Sequence, residues 1–175
     1  MKKKLLISMV IIGVLSITYV NAATVTIPMA LTNESQTAVG NIIATDTKYG
    51  LQFTFQLHNL TPDITSGIHG FHVHENPSCA KNGMAAGGHL DPKQTKHHYG
   101  PYNPNGHLGD LPAIYVNEDG TVTVPVIAPK LTVKDILGRS LMIHHGGDNY
   151  SDTPAPLGGG GSRMACGVIP AKIDK

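Results

Sequence analysis

The stretch Leu51-Gln52-Phe53-Thr54-Phe55-Gln56-Leu57 alternates apolar and polar side chains. In an extended chain its apolar residues lie on one face and its polar residues on the other, which is typical of an antiparallel strand with one buried face. Residues 39–47 form a second strand-like run, and the turn Lys48-Tyr49-Gly50 between them predicts a hairpin. This part of the chain therefore predicts a fold built on antiparallel sheet.

Similar runs occur on both sides of this hairpin. The predicted strands cover residues 24–31, 39–47, 51–58, 70–74, 113–117, 121–127, 141–145 and 164–169. Glu118-Asp119-Gly120 predicts a turn that joins 113–117 to 121–127 as another hairpin. Only residues 132–137 favour a short helix. Eight strands with turn residues between them predict an all-β sandwich or barrel.

The N-terminus has the pattern of a cleaved secretory signal. Met1-Lys2-Lys3-Lys4 is basic, Leu5 to Tyr19 is apolar, and Val20-Asn21-Ala22 supplies the small residue that a signal peptidase accepts. The alternative, a membrane anchor, needs an apolar run of roughly 20 residues, and the run from Leu5 to Tyr19 is shorter than that. We expect residues 1–22 to be a signal peptide, with cleavage after Ala22 or Ala23, and residues 23–175 to be one domain.

Charge excludes two classes of partner. Removal of residues 1–22 takes away three lysines and no acidic residue, so the formal net charge changes from +1 to about −2. A mature chain without a Lys/Arg cluster is not expected to bind nucleic acid or an anionic membrane surface. We therefore expect no nucleic acid partner, and no membrane association after signal cleavage.

Cysteine usage fits an exported protein. The chain has two cysteines, Cys79 and Cys166. An even number in an oxidising compartment most simply indicates one disulfide. Two free thiols, or a zinc site with two cysteines and two histidines, are the alternatives at this stage.

Histidines cluster in one part of the chain. All but one of the ten lie between His69 and His145, and Phe71-His72-Val73-His74 puts two of them on the same face of a strand. Residues 75–112 are rich in glycine and proline and hold four more histidines. A loop of this length inside a compact domain is usually functional, and bound metal could supply the free energy that orders it.

The candidate ligands are imidazoles and one carboxylate, a set that suits Zn²⁺ and Cu²⁺. They are His72, His74, His89, His97, His98, His107, Asp110, His144 and His145. Of the adjacent pairs His97/His98 and His144/His145, only one member can face a given site. His58 is predicted to be an ordinary polar residue, and His69, at odd spacing from His72, to make structural hydrogen bonds.

Four motifs carry a family resemblance. They are Gly70-Phe71-His72-Val73-His74-Glu75, Gly87-Gly88-His89-Leu90-Asp91-Pro92, Gly106-His107-Leu108-Gly109-Asp110-Leu111-Pro112 and the run from Gly158 to Ile169. In this order they resemble the signatures of copper/zinc superoxide dismutases of the bacterial exported type, over essentially the whole mature chain. The resemblance implies an eight-stranded antiparallel Greek-key barrel or sandwich with a long metal-binding loop. It also implies one copper and one zinc ion per subunit and dismutation of superoxide.

The resemblance also implies site residues. The implied copper ligands are His72, His74, His89 and His144. The implied zinc ligands are His89, His98, His107 and Asp110. His98 is preferred to His97 by its distance from Gly100-Pro101, and His144 to His145 by its distance from Asp148. His97 and His145 are then ordinary polar residues.

Further roles follow from the same resemblance. His89 bridges the two ions and carries a proton, so it is expected to be catalytic. Asp148 links a copper ligand to a zinc ligand by hydrogen bonds, and Arg163 guides the anionic substrate. A Cys79–Cys166 disulfide ties the loop to the strand of Arg163. The segment 146–161 has few charges, so electrostatic steering would depend partly on Lys81, Lys93 or Lys96.

Two other functions remain as alternatives. One is a non-enzymatic protein that sequesters copper or zinc on the same scaffold, which would have no need of Arg163. The other is a metal-stabilised adhesion or carbohydrate-binding module, which the absence of tryptophan disfavours. We expect a periplasmic enzyme, a monomer or homodimer, whose partner is the small anion superoxide.

Overall fold

The computed structural model describes residues 22–173, so residues 1–21 of the predicted signal peptide lie outside the described part. Its strands are β1 (Thr24–Leu31), β2 (Ala38–Thr47), β3 (Gly50–Leu57), β4 (Gly67–His69), β5 (Phe71–His74), β6 (Ile114–Val116), β7 (Val126–Ala128), β8 (Ser140–His144) and β9 (Arg163–Val168). Within these residues the one α-helix, α1 (Val133–Ile136), lies between β7 and β8, and short 3₁₀ helices cover Met84–Ala86 and Pro156–Gly159. Within residues 22–173, no helix has the length and apolar character needed to cross a membrane.

The strand order agrees with the predicted antiparallel fold. Seven strands form one antiparallel sheet in the order β5-β8-β9-β1-β2-β3-β7, and β4 pairs with β6 in a separate two-stranded sheet. Only Gly70 separates β4 from β5, so the chain passes from one sheet to the other within one residue. The all-β antiparallel prediction is confirmed.

The core follows the alternation seen in the sequence. Leu51, Phe53 and Leu57 of β3 are buried, whereas the neighbouring polar residues are half-buried or exposed. The Phe53 and Phe71 rings meet edge to face with centroids 5.3 Å apart, a favourable aromatic geometry. Because Phe71 belongs to β5, this contact fixes the strand that carries His72 and His74 against the sheet core.

One predicted hairpin is wrong. The turn after Asn117 forms, with the Gly120 N–H donating to the Asn117 carbonyl at 3.0 Å. However, β6 pairs with β4 and β7 pairs with β3, so the two arms belong to different sheets. Pro125 has no N–H for a ladder, which favours a break between the turn and β7.

The predicted disulfide between Cys79 and Cys166 is confirmed. It joins the irregular segment after β5 to β9 and packs with Ala86 and Met142 in a small buried cluster apart from the main core. The bridge therefore attaches residues 79–87, which contain no strand, to the sheet.

We expect simultaneous replacement of Cys79 and Cys166 by serine to lower the free energy of unfolding of the metal-free protein by about 4 to 5 kcal/mol. The reason is the length of the closed loop, because the two cysteines are 87 residues apart. Urea unfolding under two-state conditions measures the change. Met142→Leu, which alters packing beside the bridge at nearly constant volume, is the control. A loss below about 1 kcal/mol would contradict the prediction.

Candidate metal centre

The structure brings the candidate ligands together in two adjoining groups. The four-histidine group is His72, His74, His89 and His144, and the Asp110 group is His89, His98, His107 and Asp110. Within each group the possible ligand atoms all lie within 4.8 Å of one another, and every member is buried. His89 belongs to both groups, so two ions bound here would be neighbours.

Strand geometry places the four-histidine group. The whole of β5 is buried, with Phe71 facing the core and His72 and His74 on the other face. Antiparallel pairing of β5 with β8 brings His144 beside them, and the Nε2 atoms of His74 and His144 are 3.3 Å apart. His89 reaches the group through an isolated bridge to His74.

Hydrogen bonds orient three of these rings. His74 Nδ1 donates to the Gly87 carbonyl at 3.1 Å, and His144 Nδ1 donates to the Gly161 carbonyl at 3.2 Å. His72 donates from Nε2 to Asp148 at 2.8 Å. Such bonds fix the tautomer, so His74 and His144 present Nε2 to the centre of the group, whereas His72 presents Nδ1.

The Nδ1 atom of His72 tests whether this group fits a metal. It is fully buried and has no hydrogen-bond partner among the described residues. A buried nitrogen without a partner is energetically unfavourable and needs an explanation. A metal ion bound by this nitrogen together with the other imidazoles would supply the missing partner, so the residues fit the metal.

The Asp110 group is arranged around one carboxylate oxygen. Asp110 Oδ1 lies 3.0 Å from Nδ1 of His89, 3.0 Å from Nδ1 of His98 and 3.2 Å from Nδ1 of His107. The other oxygen, Oδ2, accepts the main-chain N–H groups of Tyr99 and Gly100, each at 3.2 Å. Three imidazoles and one carboxylate form the closed donor set of a structural zinc site.

Asp148 connects the two groups. Its Oδ2 accepts from His72 Nε2, and its Oδ1 accepts from His98 Nε2, each at 2.8 Å. The backbone of Gly158 lies so close to this carboxylate and to His98 that a Cβ atom at position 158 would collide with both. The two groups are therefore joined by a carboxylate as well as by His89.

Burial keeps the four-histidine group neutral. Burial, reinforced by the neighbouring His89, lowers the pKa of His74 to about 2 and that of His144 to about 4. Burial also lowers the pKa of His72 well below its ordinary value, and lowers that of His89 against the opposing effect of Asp110. The neutral ring is the form of histidine that binds metal ions.

Two members of the Asp110 group, His98 and Asp110, are instead held in their charged forms. Burial disfavours a proton on His98, but hydrogen bonds with Asp110 and Asp148 raise its pKa to about 9. Burial alone would raise the pKa of Asp110, but hydrogen bonds from His107, His89 and His98 hold that pKa far below the usual range of a carboxyl group. Asp110 is therefore ionised, as a metal-binding carboxylate must be.

Arg163 is fixed at the edge of the four-histidine group. Its Nη1 donates to the Gly83 carbonyl and its Nη2 to the Gly87 carbonyl, both at 2.6 Å. The Gly87 carbonyl also accepts from His74, so one oxygen atom joins the guanidinium to a candidate ligand. An irregularity in the ladder between β8 and β9 sets Arg163 opposite His144.

In each of the two adjacent histidine pairs, one member is buried and the other is exposed. His98 is buried, whereas the His97 side chain is 54% exposed and stacks on Tyr99. His145 is exposed beside the buried His144. His98 and His144, the members preferred from the resemblance, are thus the ones that join the two groups.

The remaining histidines and lysines lie outside both groups. His69 is buried, and its two ring nitrogens are 2.9 Å and 2.8 Å from the carbonyl oxygens of His144 and Thr65. It therefore makes structural hydrogen bonds, as predicted. His58 is exposed. The candidate steering residues Lys81, Lys93 and Lys96 are exposed as well.

Two residues that hold the site were not predicted. The Asp152 carboxylate accepts the main-chain N–H of His98 at 3.1 Å, and the Tyr150 hydroxyl accepts the N–H of Ala113 at 3.0 Å. Both lie in the glycine-rich segment after β8 and contact the loop between β5 and β6. The only sequence signal for Asp152 was that charges are scarce in this segment.

Comparison with known proteins gives a consistent result. A family model described as "Copper/zinc superoxide dismutase (SODC)" matches residues 38–169. A protein of Pasteurella multocida (strain Pm70) named "Superoxide dismutase [Cu-Zn]" is 56% identical over 140 residues, which is 75% of this chain and 73% of the relative. "Superoxide dismutase [Cu-Zn] 1" of Salmonella typhimurium (strain LT2) is 53% identical over 158 residues, which is 85% of this chain and 87% of the relative.

Among solved structures, the copper/zinc superoxide dismutase from Brucella abortus is 49% identical and has a TM-score of 0.75. The similarity covers 83% of this chain and 99% of that one. At this identity the likeness extends to sequence as well as to fold.

We expect Asp148→Asn to weaken metal binding by about 10- to 100-fold. The amide keeps one acceptor oxygen, but its NH₂ group would face the N–H of the second histidine, so one of the two hydrogen bonds from Asp148 is lost. Chelator competition with zinc and with copper measures the affinity. Glu118→Gln, which removes an exposed charge on a distant turn, is the control. Unchanged affinities in Asp148→Asn would contradict the linking role.

Proposed function

Because this chain belongs to the copper/zinc superoxide dismutase family, we propose that the four-histidine group binds its copper and the Asp110 group its zinc. The enzyme converts superoxide into dioxygen and hydrogen peroxide. The observation that carries the assignment is the partnerless Nδ1 of His72, buried among three further imidazoles. It supports a metal ion at that group, and the donor set supports copper.

The chemistry of the two donor sets supports this division. Four imidazoles are a donor set that suits Cu²⁺, which His72, His74, His89 and His144 would hold. Three imidazoles with one carboxylate make a closed site, which is typical of structural zinc. When bound, copper supplies the alternating one-electron reduction and oxidation on which dismutation depends.

His89 is suited to hold a proton for the product. Its Nδ1 is 3.0 Å from Asp110, so its other ring nitrogen, Nε2, faces the four-histidine group. His89 is only 4% exposed, so its ring exchanges protons with bulk water mainly through the four-histidine group. We infer that Nε2 takes up a proton in one half of the cycle and donates it to the reduced product in the other.

Arg163 is suited to bind the anion. Its guanidinium is charged at all physiological pH values and has five N–H groups, of which the carbonyls of Gly83 and Gly87 use two. The remaining N–H groups can donate to superoxide beside His144. We propose that this arrangement orients the substrate and attracts it from solution.

The disulfide supports Arg163 indirectly. Gly83 and Gly87 lie in the segment that the Cys79–Cys166 bridge attaches to β9, the strand of Arg163. The bridge therefore holds both carbonyl acceptors at a fixed position relative to the guanidinium. A sequestering protein, the alternative function, would have no use for an arginine fixed in this way, and the relatives at 53% and 56% identity are named superoxide dismutases.

We also propose that the enzyme is exported. The basic, apolar and small-residue regions of residues 1–22 support a signal peptide, and the disulfide suits an oxidising compartment such as the periplasm. Residues 23–175 would then form the mature domain.

We expect Arg163→Ala to lower kcat/KM for superoxide by about tenfold or more and to weaken its dependence on ionic strength. His144→Ala is expected to reduce turnover to that of free copper, because it removes a ligand of the four-histidine group. Pulse radiolysis of the reconstituted proteins over a range of salt concentrations measures both effects. Lys134→Ala, which removes one positive charge from an exposed position on α1, is the control. Wild-type rates in His144→Ala would refute the copper assignment.

Export predicts a processed N-terminus. Expressed in a Gram-negative host from its own start codon, the protein is expected in the periplasmic fraction, beginning at Ala23 or Thr24. The double variant Ile11→Arg and Leu15→Arg interrupts the apolar run and should leave an unprocessed chain in the cytoplasm. Osmotic-shock fractionation and intact mass distinguish the two. A full-length mass for the wild-type chain would contradict the signal peptide.

A further inference from the structure

Lys130 reaches from the sheet to the loop that carries the Asp110 group. It follows β7 and precedes α1, between the buried residues Ala128 and Leu131. Its ammonium nitrogen donates to three main-chain carbonyls, those of Gly100 at 3.2 Å, Asn103 at 3.0 Å and His107 at 2.9 Å. The backbone of Lys130 is held by its buried neighbours, and its side chain contacts residues 100–107 at three points. This segment contains no strand or helix.

The three bonds use the whole hydrogen-bonding capacity of the ammonium group. Lysine has three N–H donors and no acceptor, and here each donor has one carbonyl partner. The side chain is half-buried, so these bonds are more shielded from water than those of a surface lysine. Three carbonyls between residues 100 and 107 thus accept hydrogen bonds from one positive charge, whereas in a strand they would accept from the N–H groups of a neighbouring strand.

Two of the three carbonyls belong to residues that contact Asp110. The main-chain N–H of Gly100 donates to Asp110 Oδ2 at 3.2 Å, and His107 Nδ1 lies 3.2 Å from Asp110 Oδ1. Lys130 therefore fixes one proposed zinc ligand and one residue that orients another. Its positive charge is also close enough to Asp110 for the two charges to attract each other.

We propose that Lys130 is a positioning residue for the zinc site. It holds the loop around Gly100 and His107 in the conformation in which His107 and Asp110 can bind one ion together. This inference rests on the proposed function, because it takes the Asp110 group as the zinc site. Lys130 itself is not a ligand, since its ammonium is saturated by carbonyls.

The test compares Lys130→Met, which keeps the aliphatic chain and removes all three donors, with Lys130→Arg and with Lys134→Met. Lys134 is an exposed lysine on α1 and serves as the matched control. Zinc affinity is measured by chelator competition, and Co²⁺ in place of zinc reports ligand geometry through its visible absorption. Melting temperatures are measured for the metal-free and zinc-loaded forms.

We expect Lys130→Met to weaken zinc binding by about tenfold or more and to alter the cobalt spectrum. Lys130→Arg, which retains the charge and several donors, should recover part of the affinity, and Lys134→Met should equal the wild type. The melting temperature of Lys130→Met should fall more in the zinc-loaded form than in the metal-free form. If Lys130→Met does not fold, Lys130→Gln is measured by the same criteria.

Wild-type zinc affinity and an unchanged cobalt spectrum in Lys130→Met would overturn the inference. Equal falls of melting temperature in both forms would overturn it as well, because they would make Lys130 a general stabilising residue. If instead the wild-type protein gives no tetrahedral cobalt spectrum, or keeps that spectrum in His107→Ala, the zinc assignment fails and the inference falls with it.

Discussion

The site depends on the hydrogen bonds of one buried carboxylate, that of Asp110. A carboxylate removed from water is strongly unfavourable unless it is paired and hydrogen-bonded, and here one of its oxygens faces three imidazoles and the other accepts two main-chain N–H groups. Asp110 also forms an isolated bridge with His72 of β5. The same residue therefore organises the loop and attaches it to the edge of the sheet.

The two ligand groups are coupled through shared atoms. His89 belongs to both groups, and Asp148 accepts from one ring of each. A shift of the loop would thus change the orientation of His72, although His72 lies on a strand. The glycine run after β8 makes this coupling possible, because only a residue without a side chain can lie against Asp148 and His98 at position 158.

How much could be predicted from the sequence depended on whether the signal was local. Alternation predicted β1 and β3 to within one residue at each end, and the spacing of His72 and His74 identified the face of β5 that carries both candidate ligands. The three-residue strand β4 is too short to show a period, and its pairing with β6 rather than a 113–127 hairpin depends on contacts distant in sequence. The choice of His98 over His97 came from the family resemblance, since alternation could not favour either.

Loop positions were harder to predict because their fixing contacts involve main-chain atoms. Three members of the four-histidine group lie on strands, where periodicity determines side-chain direction, whereas all four members of the Asp110 group lie on the loop between β5 and β6. That segment is held by side chains from elsewhere in the chain: Lys130 on carbonyls, Asp152 on the N–H of His98, and Tyr150 on the N–H of Ala113. Every residue has a main-chain carbonyl and all but proline have an N–H, so a contact with a main-chain group hardly restricts the residue type at that position. The geometry of the Asp110 group is therefore determined partly by residues that lie outside the ligand motifs.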